Sequence, residues 1–484
     1  MIDFEKLFNP RAVGIIGVNE KRFGGGYFLH CLKNLGFDRP LYLFNPRLKG
    51  KSLGGHHVYG SILEIPDDEA IDYVIIAVPA KHCPKVLEEC GKKKIPFVTI
   101  FTSGFSEVGN IELEKEIVQI AKKYNIRVIG PNCLGVFVPK IKLTFALTLL
   151  SEISGNFGLI CQSGGLAVYL ASMGQSIFGI NPSKVISIGN QVDLTFVDFL
   201  EYFLHDDETK LIGLYLENIK SQEIGERFFK VAKQLAIANK PVILWKVGSG
   251  EASKQAIMSH TGGLAGSIKM WESVAKQTGI CLVKNSLELI NLAMAFEHIS
   301  QLPMNRNMAI TAVGGGASIE TTDVFEQYNL RVPKLSQATI EKFEELLPGI
   351  NTIFRNPLDL GGSGADPEIF YKTLITLDSD PNISAVVFIK TYDFNYQFIE
   401  AIKKAYRKMN NPLICIAYKI IDDTSDYAGK LLFKKQLFEL NVPVFETIEL
   451  AAKSIDKLCT FREFFDKQDK YKKDLIYKAI SGFE

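Results

Sequence analysis

The feature of this sequence that most restricts its fold is a regular alternation of short apolar runs with polar, helix-like stretches. Between Ala12 and about Gly135, the runs AVGIIGV, LYLF, DYVIIAVP, PFVTIF and RVIGP read as strands that end in Gly, Pro, Asn or Ser. Strands that alternate with helices form parallel, doubly wound sheets, in which ligands bind at the carboxyl ends of the strands. The residues that follow each strand are therefore the first candidates for a binding site.

Two further series of the same kind follow. The second series starts near Phe157 and contains the runs FGLICQ, KVISIGN, KLIGLYLEN, PVILWKVG and ICLVKN. Residues 297–307 are polar and contain a proline, which predicts a linker. The third series runs from residues 308–313 through NISAVVFIK, PLICIAYK and VPVFET. A chain of 484 residues with this pattern is predicted to hold three α/β domains.

The three series set the predicted domain boundaries. The domains are expected at residues 1–135, 136–298 and 306–460, followed by a charged helical tail at 461–484. The tail carries apolar residues at helical spacing, so it either caps the fold or contacts a partner.

Charge and cysteine usage argue against several classes of protein. The formal net charge of +1 does not suggest a nucleic-acid surface or an anchor for anionic membranes. The eight cysteines form neither a CxxC pair nor a metal-ligand cluster, so we expect a reducing compartment and no metal site. The sequence does not start with a secretory signal pattern, and no apolar run reaches the roughly 18 residues of a membrane span. A cytoplasmic protein that binds small molecules is predicted.

The first strand leads into a glycine-rich turn that contains Gly17, Val18 and Asn19. Such a turn lets the backbone approach a phosphate, and the N-terminus of the following helix attracts negative charge. Glycines in this position also serve strand–helix packing, so the turn alone leaves both interpretations open.

The end of the second strand distinguishes between nucleotides. Asn45, Pro46 and Arg47 follow it, where an NAD-binding domain usually presents an acid to the ribose. A basic residue suits a phosphorylated ribose better, as in CoA or NADP. The later strand ends are either plain turns or further parts of the same pocket, at Val78, Pro79, Ser103, Gly104 and Asn132.

A second candidate anion site occurs in the second series. Gln162, Ser163, Gly164 and Gly165 lie where a strand passes into a helix. The free N–H groups at a helix start can hold an anion without a charged side chain. The alternative is an ordinary helix with a serine cap.

His260 is the candidate nucleophile. It is followed by Thr261, Gly262 and Gly263, whose backbone amides could close around a phosphoryl group on the imidazole. The ordinary pKa of imidazole is about 6.5, so a neutral nucleophilic nitrogen is available at physiological pH. A carboxylate could orient the ring, and Glu217, after the apolar run LIGLYL, is either that partner or a plain strand-end acid.

Taken in their order, these segments resemble the NDP-forming acyl-CoA synthetases, the superfamily that includes succinyl-CoA synthetase and the ADP-forming acetyl-CoA synthetases. The resemblance reaches to about residue 460 and includes SIGN at residues 187–190 with Asp193. It implies a Rossmann-like CoA-binding domain followed by two flavodoxin-like doubly wound domains. It also implies that His260 is phosphorylated and that Glu217 stabilises the phosphohistidine. The third domain favours the ADP-forming branch, by residues 313–316 and 356–359.

The resemblance further implies a reaction and a partner. Acyl-CoA and phosphate would give acyl phosphate and CoA, His260 would take the phosphoryl group, and the phosphohistidine would then phosphorylate ADP or GDP with Mg²⁺. The nucleotide step needs an ATP-grasp module, for which the residues after 460 are too few. A separate ATP-grasp beta subunit, in a heterotetramer, is therefore expected. Two alternatives stay open: a CoA-binding regulatory subunit without turnover and an NADP-dependent oxidoreductase.

Overall fold

The computed structural model describes residues 2–149, 153–248, 250–253, 267–347, 354–391, 396–418 and 424–481, without the side chains of 424–427 and 469–481. The chain folds as two compact units, residues 1–286 and 287–484. Each unit is described by itself below.

The first unit begins with a seven-stranded sheet in the order β3-β4-β2-β1-β5-β6-β7. All neighbouring strands run parallel except β3 and β4, which pair antiparallel. The strands are β1 (Val13–Ile16), β2 (Leu41–Phe44), β3 (Ser52–Leu53), β4 (His56–Tyr59), β5 (Tyr73–Ile76), β6 (Phe97–Ile100) and β7 (Arg127–Ile129). Every residue of β1, β5 and β6 is buried, as expected of strands covered on both faces.

Four helices accompany this sheet. They are α1 (Glu5–Phe8), α2 (Gly25–Asn34), α3 (Cys83–Lys92) and α4 (Ile111–Tyr124). The longest, α4, has glutamates in its first turn and lysines in its last turn, which complements the helix dipole. It ends at Asn125 in the left-handed conformation, a common way for a helix to terminate.

The second sheet of the first unit has six strands in the order β13-β12-β11-β9-β10-β8. Its strands are β8 (Gly135–Phe137), β9 (Phe157–Cys161), β10 (Pro182–Ser187), β11 (Leu211–Leu216), β12 (Val242–Lys246) and β13 (Cys281–Val283). Only β8 runs antiparallel to its neighbour. The accompanying helices are α5 (Gly164–Ile177), α6 (Phe196–His205), α7 (Gln222–Ile237) and α8 (Ile268–Thr278).

The second unit contains a five-stranded parallel sheet in the order β15-β14-β16-β17-β18. Its strands are β14 (Met308–Ala312), β15 (Leu358–Asp359), β16 (Ala385–Ile389), β17 (Leu413–Ile416) and β18 (Val444–Phe445). Its helices are α9 (Ser286–His298), α10 (Gly315–Gln327), α11 (Gln337–Leu346), α12 (Pro367–Asp378), α13 (Tyr396–Tyr406), α14 (Thr424–Glu439) and α15 (Ile448–Ser481).

The structure confirms the predicted α/β class and the predicted position of each main strand. The sequence pattern did not reveal β3, β4, β8 and β15, which have two to four residues each. The tail predicted from residue 461 is part of α15, which begins earlier, at Ile448. The domain boundaries remain predictions. Among the described helices, none combines the length and the apolar character that a bilayer crossing requires.

Candidate functional site

The predicted nucleotide-contacting residues of the first unit all lie at one edge of its first sheet. Gly17, Val18 and Asn19 follow β1, while Asn45, Pro46 and Arg47 follow β2. The others come after neighbouring strands, with Val78 and Pro79 after β5, Ser103 and Gly104 after β6, and Asn132 after β7. Because β2, β1, β5, β6 and β7 are consecutive parallel strands, their carboxyl ends meet along one edge.

Asn45 ties two of these strand ends together. Its Nδ2 donates to the carbonyl oxygen of Val18 at 2.6 Å, and its Oδ1 accepts from the backbone N of Arg47 at 2.9 Å. Gly17 has a φ of +91°, and a side chain there would collide with the carbonyl oxygen of Ala77. Only glycine therefore permits this close approach of β1 to β5.

Arg47 is positioned to meet an external group. Its side chain is exposed and makes no hydrogen bond or ion pair within the described part of the chain. Asn19, by contrast, is occupied within its own loop. Its Oδ1 accepts from Lys21 N at 2.9 Å and its Nδ2 donates to Phe23 O at 3.0 Å, so it shapes the glycine-rich turn.

The loop after β6 is held by a carboxylate that the sequence analysis did not identify. Glu107 Oε1 accepts from the backbone N of Gly104 and, at 3.2 Å, of Phe105. Glu107 Oε2 accepts from Asn190 Nδ2 at 2.6 Å. Burial raises the pKa of Glu107, but hydrogen bonds from Asn190 and the loop amides outweigh it and hold this pKa below 4.5. The amide of Gly104 is therefore engaged, whereas the neighbouring Ser103 is exposed.

In the second sheet, Glu217 follows β11 and its main chain is held from both neighbouring strands. Gln162, directly after β9, accepts through Oε1 from the backbone N of Glu217 at 2.9 Å. Lys246, the last residue of β12, donates through Nζ to the carbonyl oxygen of Glu217 at 2.7 Å. Because β9 and β12 flank β11, the backbone N–H and the backbone carbonyl of Glu217 are each held by a residue at the end of a neighbouring strand.

The carboxylate of Glu217 lies in a buried, polar setting. The residue is 8% exposed, and Tyr215 donates from its hydroxyl to Glu217 Oε1 at 3.3 Å. Burial and the charge of Glu217 raise the pKa of Tyr215, so the hydroxyl stays protonated and can donate. Burial lowers the pKa of Lys246 to about 8, against the opposing effect of Glu217. A carboxylate with fixed donors can orient a third group, as the acid of a catalytic triad does.

Helix α5 starts two residues after Gln162, which bonds Glu217. The residues at this helix start, Ser163, Gly164 and Gly165, are predicted to bind phosphate. Ser163 caps the helix by accepting from Leu166 N at 3.4 Å. A side chain at Gly164 would lie 3.0 Å from Leu134 Cγ, whereas at Gly165 it would meet no atom of the described residues within 4 Å. Within the described part of the chain, the space at Gly165 is therefore open, which suits an anion held by backbone amides.

The remaining predicted residues, His260, Thr261, Gly262 and Gly263, lie outside the described residues. Val247 precedes that segment, directly after β12, and α8 follows it. No group of three or more His, Cys, Asp or Glu side chains that could hold a metal ion occurs in the part of the chain that the structure describes.

The second unit brings together two segments on which the family resemblance rested. Asp359 follows Leu358 in β15, and its Oδ1 accepts from the backbone N of Gly314 at 2.9 Å. Asn356 is buried and accepts through Oδ1 from Ile310 N at 2.9 Å. Both side chains therefore connect β15 to the neighbouring β14 and to the glycine turn that opens α10.

Two protein families match this chain. Residues 11–139 match the CoA binding domain family, and residues 154–296 match the succinyl-CoA ligase like flavodoxin domain family. Together these matches cover the two sheets of the first unit.

The proteins that are similar over most of this chain include ADP-forming acetate–CoA ligases. The alpha subunit of acetate–CoA ligase (ADP-forming) II from Pyrococcus furiosus is 34% identical over 458 residues, which cover 93% of this chain and 95% of that protein. The acetate–CoA ligase (ADP-forming) from Methanocaldococcus jannaschii is 40% identical over 360 residues, 74% of this chain. The match spans only about half of that relative, 49% of its length.

A solved structure matches the fold along nearly the full length. It is the dinucleotide forming acetyl-coenzyme A synthetase 1 of Candidatus Korarchaeum cryptofilum, in complex with phosphate and ADP. The TM-score is 0.85 at 29% sequence identity, and the match covers 97% of this chain and 99% of that one. With the domain families and the Pyrococcus relative, this shows that the chain belongs to the family of ADP-forming acetyl-CoA synthetases.

Proposed function

We propose that this chain is the CoA-binding, phosphohistidine-carrying subunit of an ADP-forming acyl-CoA synthetase. It would interconvert acyl-CoA, phosphate and ADP with a carboxylate, CoA and ATP, with His260 as the carrier. The nucleotide and its Mg²⁺ would bind to a separate ATP-grasp beta subunit. The name of the Pyrococcus relative, an alpha subunit, supports a partner chain.

The observation that carries this proposal is the fixation of Glu217 at the edge of the second sheet. Gln162 and Lys246 bond its main chain at 2.9 and 2.7 Å, and Tyr215 donates to its carboxylate. Polar groups are seldom buried in such number without a purpose, because each one must be satisfied. A preorganised carboxylate next to a helix start is what a histidine that accepts a phosphoryl group requires.

The chemistry would proceed in three reversible transfers. A phosphate oxygen attacks the thioester carbonyl and the C–S bond breaks, which gives acyl phosphate and CoA thiolate. An imidazole nitrogen of His260 then attacks the phosphorus, and the bond to the carboxylate oxygen breaks. A β-phosphate oxygen of ADP finally attacks the same phosphorus, and the P–N bond breaks. Mg²⁺ would neutralise the phosphate charge in the last step.

The chain's own groups have distinct tasks in this scheme. Glu217 would stabilise the positive ring that forms when His260 is phosphorylated. The amides at the start of α5, near Gly165, would hold the phosphate oxygens. The strand-end residues of the first sheet would hold CoA. The side chain of Arg47, which has no partner among the described residues, would be available for the ribose phosphate of CoA.

We further propose a cytoplasmic location. All eight cysteines are buried and free of disulfides, which suits a reducing compartment.

The test is phosphoryl labelling of the purified chain with its ATP-grasp partner, Mg²⁺ and ATP labelled at the γ-phosphate. We expect an acid-labile, base-stable label that carboxylate and CoA together discharge. His260→Ala should abolish this label, while the exposed His205 offers a matched control whose alanine variant should be labelled like wild type.

Other outcomes would point elsewhere. A wild-type chain that binds CoA but takes no label from an active partner would favour a regulatory CoA-binding subunit. A label that survives in His260→Ala would move the phosphoryl carrier to another residue.

A further inference from the structure

Two buried lysines bracket strand β12. Lys240 precedes the strand and donates through Nζ to the carbonyl oxygens of Phe203 and Asp206, each at 2.7 Å. Lys246 ends the strand and donates to the carbonyl oxygens of Glu217 at 2.7 Å and Val247 at 2.6 Å. Both lysines are 8% exposed, so the same chemical group is buried at each end of one strand.

The two ends differ in what they hold. Lys240 donates to the carbonyl groups at the C-terminal end of α6, at the amino edge of the sheet. Lys246 lies at the carboxyl edge, and its Nζ stands 5.7 Å from the centre of the Trp271 ring in α8. Lys246 thereby contacts Val247 before the segment that contains His260 and Trp271 after it.

Burying an ammonium group costs free energy that an apolar side chain of similar volume would avoid. A methionine could fill much of the same space against Trp271. The lysine adds two bonds to main-chain carbonyls, those of Glu217 and Val247, and a positive charge that interacts with the carboxylate of Glu217. These additions are directed at the candidate site.

We propose that Lys246 is a positioning residue for the phosphoryl transfer to and from His260. It fixes the main chain of Glu217 and of Val247, which precedes the segment that carries the histidine, and its positive charge attracts the carboxylate of Glu217. This inference rests on the proposed function.

The experiment compares single-turnover labelling rates of the holoenzyme, with the ATP-grasp partner, Mg²⁺ and γ-labelled ATP. Lys246→Ala should label about 10- to 100-fold more slowly, because a displacement of about 1 Å can cost 100-fold in rate. The ATP concentration for half-maximal rate should stay unchanged, since the nucleotide binds to the partner. Lys240→Ala is the matched control, expected to lose stability but to keep the labelling rate.

Chemical rescue separates positioning from a general loss of structure. Propylammonium should restore much of the rate in Lys246→Ala, whereas uncharged propanol should not. In Lys240→Ala, neither compound should change the rate. Lys246→Met, which preserves most of the packing volume, should show the same slow labelling. It takes the place of the alanine variant if that variant fails to fold.

Three outcomes would overturn the inference. One is a Lys246→Met variant that labels at the wild-type rate, which would leave the proposed function standing. Another is an equal rate loss in Lys240→Ala, which would reduce both lysines to structural groups. The third is a wild-type chain that takes no label, which would overturn the proposed function and the inference together.

Discussion

Arg127 and Asp193 form a two-point ion pair that joins the last strand of the first sheet to the loop after β10. Arg127 donates from Nε to Oδ2 at 2.9 Å and from Nη2 to Oδ1 at 3.2 Å. The same Oδ2 accepts from the backbone N of Val128 at 2.8 Å. Asp193, three residues after the SIGN segment at 187–190, thus connects the two sheets of the first unit. The bond between Asn190 and Glu107 adds a second connection.

The first prediction concerns this ion pair. Asp193→Asn retains one acceptor but loses the charge-assisted pairing, so we expect the free energy of unfolding to fall by about 1–2 kcal/mol. Urea unfolding of the variant measures this change. Asp68→Asn, at an exposed position without a hydrogen bond among the described residues, should change stability by less than about 0.5 kcal/mol. Equal stability of Asp193→Asn and wild type would contradict a structural role for the pair.

The second prediction concerns the loop after β6. Glu107→Gln would place an amide donor opposite the donor of Asn190, so the loop that contains Ser103 should loosen. If that loop contacts CoA, the dissociation constant of CoA should rise roughly tenfold, equivalent to about 1.4 kcal/mol. Calorimetric titration with CoA provides the measurement.

The control for this loop is Glu112→Gln on the surface of α4. Among the residues that the structure describes, Glu112 pairs only with the exposed Lys115, and such surface pairs contribute little. We expect unchanged CoA affinity there. Unaltered affinity in Glu107→Gln as well would remove Ser103 and Gly104 from the CoA site.

The strand ends of the candidate site could be predicted because a buried parallel strand is a continuous apolar run with turn residues behind it. The run LIGLYL is such a case, and all six of its residues are buried in β11. The acid that follows it, Glu217, was therefore identifiable. Short or half-exposed strands such as β3 and β4 lack this signal.

The neighbours of Glu217 could not be predicted in the same way. Gln162 lies 55 residues before Glu217, and Lys246 lies 29 residues after it. They meet Glu217 because β9 and β12 flank β11, and an apolar pattern carries no information on strand order. Lys246 resembled an ordinary charged residue at a strand end, as Glu107 did in its loop.

The third prediction is a pH dependence of stability at Asp72. Burial raises the pKa of this carboxyl, but hydrogen bonds from the side chain and backbone of Arg11, with its charge, outweigh burial and hold the pKa below 3.8. A depressed pKa means that the stabilisation is present above the unfolded-state value and is lost as pH falls through the folded-state value.

The variant Asp72→Asn tests the direction of this pH dependence. Arg11 is largely exposed, so solvent screening limits the loss to about 1 kcal/mol near neutral pH. The difference from wild type should be constant above about pH 5 and should shrink below the ordinary value of 3.8. Urea unfolding at several pH values gives the curve. A difference that grows on acidification would contradict the assignment.

The fourth prediction separates stability from phosphate binding at the start of α5. A side chain at Gly165 would meet no described residue within 4 Å, so Gly165→Ala should raise the free energy of unfolding by about 0.4–1 kcal/mol. The added methyl group would project into the space where we place the phosphate. The phosphate concentration for half-maximal CoA release from acyl-CoA should therefore rise about tenfold, or about 1.4 kcal/mol.

Gly225 near the start of α7 supplies the matched control for this prediction. A methyl group there would approach other atoms no closer than 3.9 Å, so Gly225→Ala should gain similar stability. It should leave the phosphate dependence unchanged, because that helix start lies outside the proposed phosphate site. If Gly165→Ala also gains stability without any change in phosphate dependence, the anion is not held by the amides of α5. The phosphate would then have to be held by groups other than Gly165 and its neighbours at that helix start.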